Sequence, residues 1–210
     1  MKRFVKNVLG WLLSICIAFV IVFFLKTFIG MPTTVKGTSM APTCFPEEKL
    51  ILSTWSTNFN RAPNRGDIVT FEAPSVTLVK SADSSNPTAI YKEDSKNLYE
   101  KVMYYGLGIT KSSYIKRVIG KPGDHVEIKN GKVYINGGIL EEPYLSQTLK
   151  TDMSSGGEFS DVIVPEGYVY VLGDNRNASS DSRRFGCIPI SKIEGKVAFR
   201  WWPLKKIGTV

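Results

Sequence analysis

The chain is poor in the two residue types that most often carry catalysis and metal binding. It has one histidine, His125, and three cysteines in 210 residues. Cys16 lies in an apolar N-terminal run, and Cys44 and Cys187 are far apart, so no metal-ligand spacing is present. A Cys44–Cys187 disulfide and two free thiols are both compatible with the sequence. We expect no metal and no cofactor, and a histidine-based site has one candidate.

The chain also lacks a concentrated basic region, although its net charge is +8. Four basic residues, Lys2, Arg3, Lys6 and Lys26, flank the apolar run. The remaining residues, 27–210, carry 23 basic and 19 acidic side chains that are mixed along the sequence. Nucleic acid is therefore not expected as a partner, and an anionic lipid surface accounts for the charge more simply.

The apolar run covers residues 8–25, which contain no charged side chain. A helix of this length spans roughly 27 Å, and its extension to residue 29 covers a bilayer core of about 30 Å. The basic residues before the run indicate a cytoplasmic N-terminus. A cleaved signal peptide is the alternative, but the run is long for one and a small-x-small cleavage pattern is poor there. We predict a cytoplasmic segment 1–7, a transmembrane anchor 8–29 and an extracytoplasmic domain 30–210 at the cell membrane.

The rest of the chain contains short segments rich in β-branched residues and separated by turn signals. These predicted strands are 49–54, 67–71, 114–119, 125–129, 133–135, 169–172 and 197–202. Asn130-Gly131 between two of them is a strong hairpin signal. The pattern predicts a mainly β domain with antiparallel sheets. Residues 75–113 are loop-like, with a possible helix at 93–105, and are predicted to be an insertion.

A candidate nucleophile, Ser39, lies in the turn-forming stretch Gly37-Thr38-Ser39-Met40-Ala41-Pro42-Thr43 shortly after the apolar run. A serine needs a base to take its proton. Lys116 is the best candidate because it lies on a predicted strand among apolar neighbours. A solvated lysine is protonated at neutral pH, but desolvation lowers its pKa by up to several units. A surface lysine on a strand is the alternative, and for an arbitrary lysine it is much the commoner case.

A third group of polar residues follows the predicted strand 169–172. An exposed, Asx-rich loop is one interpretation of this group. The group also forms the last of four sequence motifs, which are Ser39-Met40-x-Pro42-Thr43, Arg65-Gly66-Asp67-Ile68-Val69, Tyr114-Ile115-Lys116-Arg117-Val118-Ile119-Gly120-x-Pro122-Gly123-Asp124 and Gly173-Asp174-Asn175-Arg176-x-x-Ser179-x-Asp181-Ser182-Arg183-x-Phe185-Gly186. Together these motifs resemble those of type I signal peptidases and stand in that family's order. The single anchor is most similar to the Gram-positive branch of the family.

The resemblance implies a membrane-bound serine endopeptidase that removes signal peptides through an acyl-enzyme. Ser39 would be the nucleophile, Lys116 the general base and Ser179 the residue that orients the lysine amine. The oxyanion hole would use backbone N–H groups of Gly37 and Ser39, because Gly37 stands where one branch of the family has a serine.

The resemblance also implies residues that shape the site without doing chemistry. Asp181 and Arg183 would form a supporting ion pair with Asp174 nearby, and Arg117 would be structural. The implied substrates are secretory preproteins with small residues at −1 and −3, bound as an extended strand. Candidate pocket residues are Val35, Met40 and Leu52, and Trp201 and Trp202 are candidates either for contact with lipid headgroups or for the core.

Three alternatives explain less of the sequence. A self-cleaving repressor of the DNA-damage response also uses a serine–lysine pair, but it needs a DNA-binding domain where the apolar run lies. A sortase-like transpeptidase would use Cys187, His125 and Arg183, but its Thr-Leu-x-Thr-Cys motif is absent. An anchored, non-catalytic β-domain leaves the four motifs unexplained.

Overall fold

The computed structural model describes residues 2–24, 30–54, 62–75, 87–91, 97, 112–145, 151 and 158–210. The chain begins with helix α1 (Lys2–Phe24) and continues as a mainly β domain. Its strands are β1 (Met31–Thr34), β2 (Lys49–Ser53), β3 (Ile68–Glu72), β4 (Ser113–Gly120), β5 (His125–Lys129), β6 (Lys132–Ile135), β7 (Gly138–Ile139), β8 (Asp161–Ile163), β9 (Tyr168–Leu172), β10 (Ile188–Pro189) and β11 (Ile193–Trp202).

Within the described residues the strands form two sheets. The larger has seven strands in the order β1-β2-β11-β3-β4-β9-β10, and the smaller has four in the order β7-β6-β5-β8. Every pair of neighbouring strands is antiparallel. The prediction of a mainly β, antiparallel domain is confirmed. The sequence did not predict β1, β7, β8 and β10, which have two to four residues each.

The smaller sheet is built around the predicted hairpin. Asn130 and Gly131 both have positive φ, 52° and 74°. This is the backbone of a tight two-residue turn whose twist matches the flanking strands. The turn joins β5 to β6, and Val126 faces Ile135 across the pair. The apolar side of this sheet packs against the larger sheet in one core cluster, which includes Val126, Ile135, Ile119 and Leu172.

A second core cluster lies under the candidate nucleophile. It contains Val35, Met40, Cys44, Leu50, Leu52, Ile68 and Val197. These residues come from the Ser39 turn and from β2, β3 and β11. The turn is therefore packed onto one face of the large sheet, and this packing fixes the position of Ser39 relative to the sheet.

Helix α1 contains most of the predicted anchor, and its described side chains are exposed, among them Trp11, Leu13 and Phe19. No helix in the described part of the chain is both long and apolar enough to cross a membrane. Residues 25–29 of the predicted anchor lie outside the described residues. The transmembrane anchor stays a prediction.

The predicted insertion, 75–113, and the possible helix at 93–105 lie mostly outside the described residues. The short described piece 87–91 runs beside the start of β10. Cys187 N–H donates to Pro87 O at 2.6 Å, and Ala89 N–H donates to Cys187 O at 2.8 Å. One part of the insertion is therefore hydrogen-bonded to the chain that follows the fourth motif.

Candidate active site

Ser39 lies in a tight turn between β1 and β2. The next residue, Met40, is fully buried in the cluster beneath the turn. Ala41 N–H donates to Thr38 O at 3.1 Å and Cys44 N–H to Met40 O at 2.8 Å, so the turn is held by its own backbone as well. Burial of Met40 leaves the neighbouring Ser39 only partly covered, as a nucleophile requires.

The structure brings Lys116 to Ser39. The Lys116 Nζ atom donates to Ser39 Oγ at 2.8 Å and to Ile115 O at 2.9 Å. Lys116 lies on β4 next to the central strand β3, and its relative exposure is only 3%. The pair of residues nominated from sequence is therefore in direct hydrogen-bond contact, with the amine shielded from water.

Burial changes the protonation of this amine. Desolvation lowers the pKa of Lys116 from 10.5 to about 8, while the negative charges of Asp181 and Asp174 act to raise it. Removal from water disfavours the ammonium form. In a fraction of the molecules Lys116 is consequently a neutral amine near neutral pH, and a neutral amine can accept the Ser39 proton.

The loop after β9 contacts the backbone of the nucleophile turn. Asn175 N–H donates to Ser39 O at 3.0 Å, and the Asn175 side-chain amide donates to Thr38 O at 3.2 Å. A Cβ atom at Gly173 would lie 2.2 Å from Ser179 Oγ and 2.5 Å from Ser39 O. Glycine is required at this position because the two segments approach more closely than any side chain allows.

Ser179 lies at this close approach, next to Gly173. Its hydroxyl oxygen is buried and has no hydrogen-bond partner within the described part of the chain. The structure therefore places Ser179 beside the site without a hydrogen bond to Lys116. Its role as the residue that orients the lysine amine stays a prediction.

The four residues nominated for support form two buried ion pairs. Arg117 Nε and Nη2 donate to the two oxygens of Asp174 at 2.9 and 2.7 Å. Arg183 Nε and Nη2 donate to the two oxygens of Asp181 at 2.8 and 2.9 Å. Such two-bond pairs fix both distance and orientation. Removing one partner of a buried pair costs about 3–5 kcal/mol because the other charge is left uncompensated.

These pairs also connect the second motif to the site. Gly173 N–H donates to Asp181 Oδ2 at 3.0 Å, so the carboxylate holds the glycine that touches Ser39. Arg117 Nη1 donates to Gly66 O at 2.8 Å. Gly66 has a φ of 90°, a conformation that favours glycine.

Sequence reasoning missed a second polar cluster behind this loop. Arg176 is fully buried and pairs with both oxygens of Glu142. Arg176 also donates to the hydroxyl of Thr151. Tyr144 completes the group, because its hydroxyl donates to Glu142 Oε1 at 2.7 Å. Charged residues between turn signals are usually solvated, so the sequence alone carries no signal of their burial.

His125 lies apart from this arrangement, whereas Cys44 belongs to the buried cluster beneath the Ser39 turn. His125 Nε2 contacts Asp161 Oδ1 at 2.6 Å on the smaller sheet. Cys44 and Cys187 are buried free thiols, and burial raises their pKa values to about 11 and about 12. Both are held as neutral thiols at physiological pH, which does not suit a sortase-like mechanism. No cluster of potential metal ligands is present in the described ranges.

A serine hydroxyl bonded to a buried lysine amine, with no nearby histidine among its described partners, is the arrangement of the serine–lysine hydrolases. The comparisons with known proteins agree. The family described as signal peptidase, peptidase S26, matches residues 8–202.

Individual relatives match over nearly the whole chain. Signal peptidase IB of Staphylococcus aureus is 36% identical over 214 residues, which cover 96% of this chain and 93% of that protein. Thylakoidal processing peptidase 1 of Arabidopsis thaliana chloroplasts is 32% identical over 95% of this chain and 53% of its own length. A crystal structure of a signal peptidase I from Enterococcus faecalis aligns over 66% of this chain and 98% of that chain, at 28% identity and a TM-score of 0.42.

This chain therefore belongs to the signal peptidase family, peptidase S26, and is a serine peptidase. The resemblance stated from the four motifs is confirmed.

Proposed function

We propose that this peptidase removes signal peptides from secretory preproteins, with Ser39 as nucleophile and Lys116 as general base. The observation that carries the proposal is the 2.8 Å hydrogen bond between Lys116 Nζ and Ser39 Oγ, made by an amine that is 3% exposed. The family assignment supplies the reaction class. The buried amine can act as the general base that activates the serine, a role that a nearby histidine has in other serine hydrolases.

The reaction follows from this pair. Ser39 Oγ attacks the scissile carbonyl carbon while Lys116 Nζ takes its proton. The protonated amine then gives this proton to the leaving amine, which departs as the new N-terminus of the mature protein. Water, deprotonated by the same lysine, hydrolyses the ester on Ser39 and regenerates the hydroxyl. Asp174, Asp181 and their arginine partners hold the geometry, and Ser179 would orient the amine between steps.

When Ser39 attacks, the substrate carbonyl oxygen becomes an oxyanion. We assign its stabilisation to the backbone N–H groups of Gly37 and Ser39. Gly37 is exposed, and a Cβ atom built on it meets nothing within 4 Å. The position is therefore open to a substrate carbonyl. Because no side-chain donor exists at residue 37, the stabilisation of the developing charge rests on the main chain.

The free edge of β4 supports binding of the substrate as an extended strand. β3 pairs with β4 from Ser113 to Arg117, whereas β9 joins the other edge only from Arg117 onward. Along residues 113–116 that edge has no partner strand in the described residues, and it leads directly to Lys116. Alternate side chains of an added strand face the same way, so −1 and −3 would be read together.

With the domain order proposed from the sequence, the free edge of β4 would lie near the extracytoplasmic face of the cell membrane. Residues 1–7 would be cytoplasmic, 8–29 the single-pass anchor and 30–210 the extracytoplasmic domain, with 75–113 as an insertion. Trp201 and Trp202 are 37% and 44% exposed rather than core residues. Amphipathic rings of this kind favour the headgroup region, and Lys49 Nζ lies 5.2 Å from the Trp201 ring centre.

The proposal is tested by incubating the full chain in lipid vesicles with a purified preprotein and sequencing the product's new N-terminus. We expect one cut, after a small residue that has another small residue two positions before it. A preprotein with a bulky residue at −1 is the control and should stay uncut. Absence of cleavage, or cuts scattered along the mature part, would contradict the proposed function.

A further inference from the structure

The side chain of Arg117 lies between a carboxylate and an aromatic ring. On one side it makes the two-bond pair with Asp174, which is fully buried. On the other side its Cζ atom is 3.9 Å from the centre of the Tyr144 ring. A planar guanidinium favours this stacked position over an aromatic face. Arg117 follows Lys116 in β4, so the two side chains lie on opposite faces of the strand. They are linked through Asp174, which pairs with Arg117 and also acts on the Lys116 amine.

Tyr144 is itself held in place. Its hydroxyl donates to Glu142 Oε1 at 2.7 Å, and the same carboxylate is paired with the buried guanidinium of Arg176. Arg176 Nε in turn donates to Gly173 O at 3.1 Å. The ring is therefore part of a connected polar network and not a loosely packed surface tyrosine.

The residues after β7 are thus linked by two routes to the segment that contains Asp174. Tyr144 acts on Asp174 through Arg117, and Glu142 acts on Gly173, the residue before Asp174, through Arg176. Neither Glu142 nor Tyr144 belongs to the four sequence motifs. Both come from the segment between β7 and β8, two strands of the smaller sheet, so this segment links the smaller sheet to the loop that contains Asp174.

We propose that Tyr144 is a positioning residue of the Ser39–Lys116 pair: its ring keeps Arg117 engaged with Asp174, the carboxylate whose charge acts on the base. The role rests on the proposed function of this pair. Tyr144 touches neither Ser39 nor Lys116, and it acts through Arg117.

The charges that face Lys116 determine the sign of the expected effect. The carboxylates of Asp174 and Asp181 act on the amine, and the Tyr114 ring lies 5.3 Å from it. Arg183 compensates Asp181 directly, whereas Arg117 compensates Asp174. If Arg117 leaves Asp174, the uncompensated carboxylate favours the ammonium form of Lys116. This change raises the pKa of the base.

The test compares pH profiles of preprotein cleavage for three variants of the full chain in lipid vesicles. Tyr144→Leu removes the ring, and Tyr144→Phe keeps the ring but removes the hydroxyl. Tyr134→Leu is the matched control, because Tyr134 also carries a cation over its ring, Lys129 at 4.7 Å, but lies on the smaller sheet. We expect the acid limb of kcat/KM to move up by about one pH unit in Tyr144→Leu, which is about a 10-fold loss at pH 7.

This loss should largely disappear above the new midpoint, where the amine is again free. Tyr144→Phe should keep the midpoint of the wild type, and so should Tyr134→Leu. A Tyr144→Leu profile with lower activity but an unchanged midpoint would overturn the proposal, because it indicates a structural role alone. If Tyr144→Leu does not fold, Tyr144→Met removes the aromatic face with a flexible side chain of useful volume.

NMR titration of the Lys116 side chain separates this proposal from the proposed function. The signal is assigned by its absence in Lys116→Met, and its midpoint does not require cleavage. A higher midpoint in Tyr144→Leu supports the positioning role even if no preprotein is cut. An unchanged midpoint overturns it even if cleavage is normal in the wild type.

Discussion

Lys116→Met should abolish preprotein cleavage, with a loss of at least about 10³-fold, because general-base catalysis and nucleophile activation are both removed. Methionine fills the space of the aliphatic stem and cannot accept the Ser39 proton. The comparison is the initial rate of preprotein cleavage at pH 8. Lys129→Met is the matched control, since Lys129 is an exposed lysine on the smaller sheet that pairs with Glu127.

The same variant should stay folded. Below about pH 8 the wild type buries a protonated amine whose pKa is lowered from 10.5 to about 8. Between these two values the unfolded chain binds more protons, so this group disfavours folding at lower pH, by about 3 kcal/mol at full protonation. Methionine removes this cost. We expect an unfolding free energy at pH 7 no lower than that of the wild type, and near-normal cleavage by the folded variant would contradict the base assignment.

Ser39→Ala should cause the larger loss, about 10⁴-fold or more, because no atom remains to form the acyl-enzyme. Alanine keeps the turn, since the Ser39 backbone carbonyl still accepts from Asn175 and, among the described residues, its hydroxyl bonds to Lys116 alone. Initial cleavage rates are compared with those of Ser160→Ala, a serine before β8 that lies outside the site.

The double variant Ser39→Ala/Lys116→Met gives a sharper test of the pair. Residues that act as one unit show strongly non-additive losses. We expect the double variant to be no slower than Ser39→Ala alone. A loss in the double variant equal to the product of the two single-variant losses would contradict a shared role. Residual activity of Ser39→Ala that disappears when Lys116 is also replaced would contradict it as well.

The strands that were predicted from sequence are those with a strong local pattern. Alternating β-branched residues between turn signals mark β2 to β6, β9 and β11, and Asn130-Gly131 marks the hairpin. β1 was missed because Met31–Thr34 is only four residues long and contains a proline, and it is an edge strand paired only with β2 in the described residues. Its position depends on a partner strand and not on its own sequence.

The residues of the site also fall into those that the sequence could predict and those that it could not. Ser39 and Lys116 could be nominated because a nucleophile in a turn needs a base, and because the motifs resemble a known family. Glu142 and Tyr144 could not be nominated, and Arg176, although it stands in the fourth motif, was given no role. Each is an ordinary polar residue locally, and its burial arises only when the segment after β7 packs against the loop after β9. Contacts of this kind come from tertiary structure alone.

The pH profile of preprotein cleavage tests the central claim most directly, namely that Lys116 is the base for Ser39. The pKa of the buried amine lies near 8, so kcat/KM should rise with pH through a single acid limb near that value. The limb should be unchanged in His125→Ala, because His125 pairs with Asp161 on the smaller sheet. A limb near pH 6.5, the ordinary range of histidine, that is lost in His125→Ala would contradict the serine–lysine mechanism.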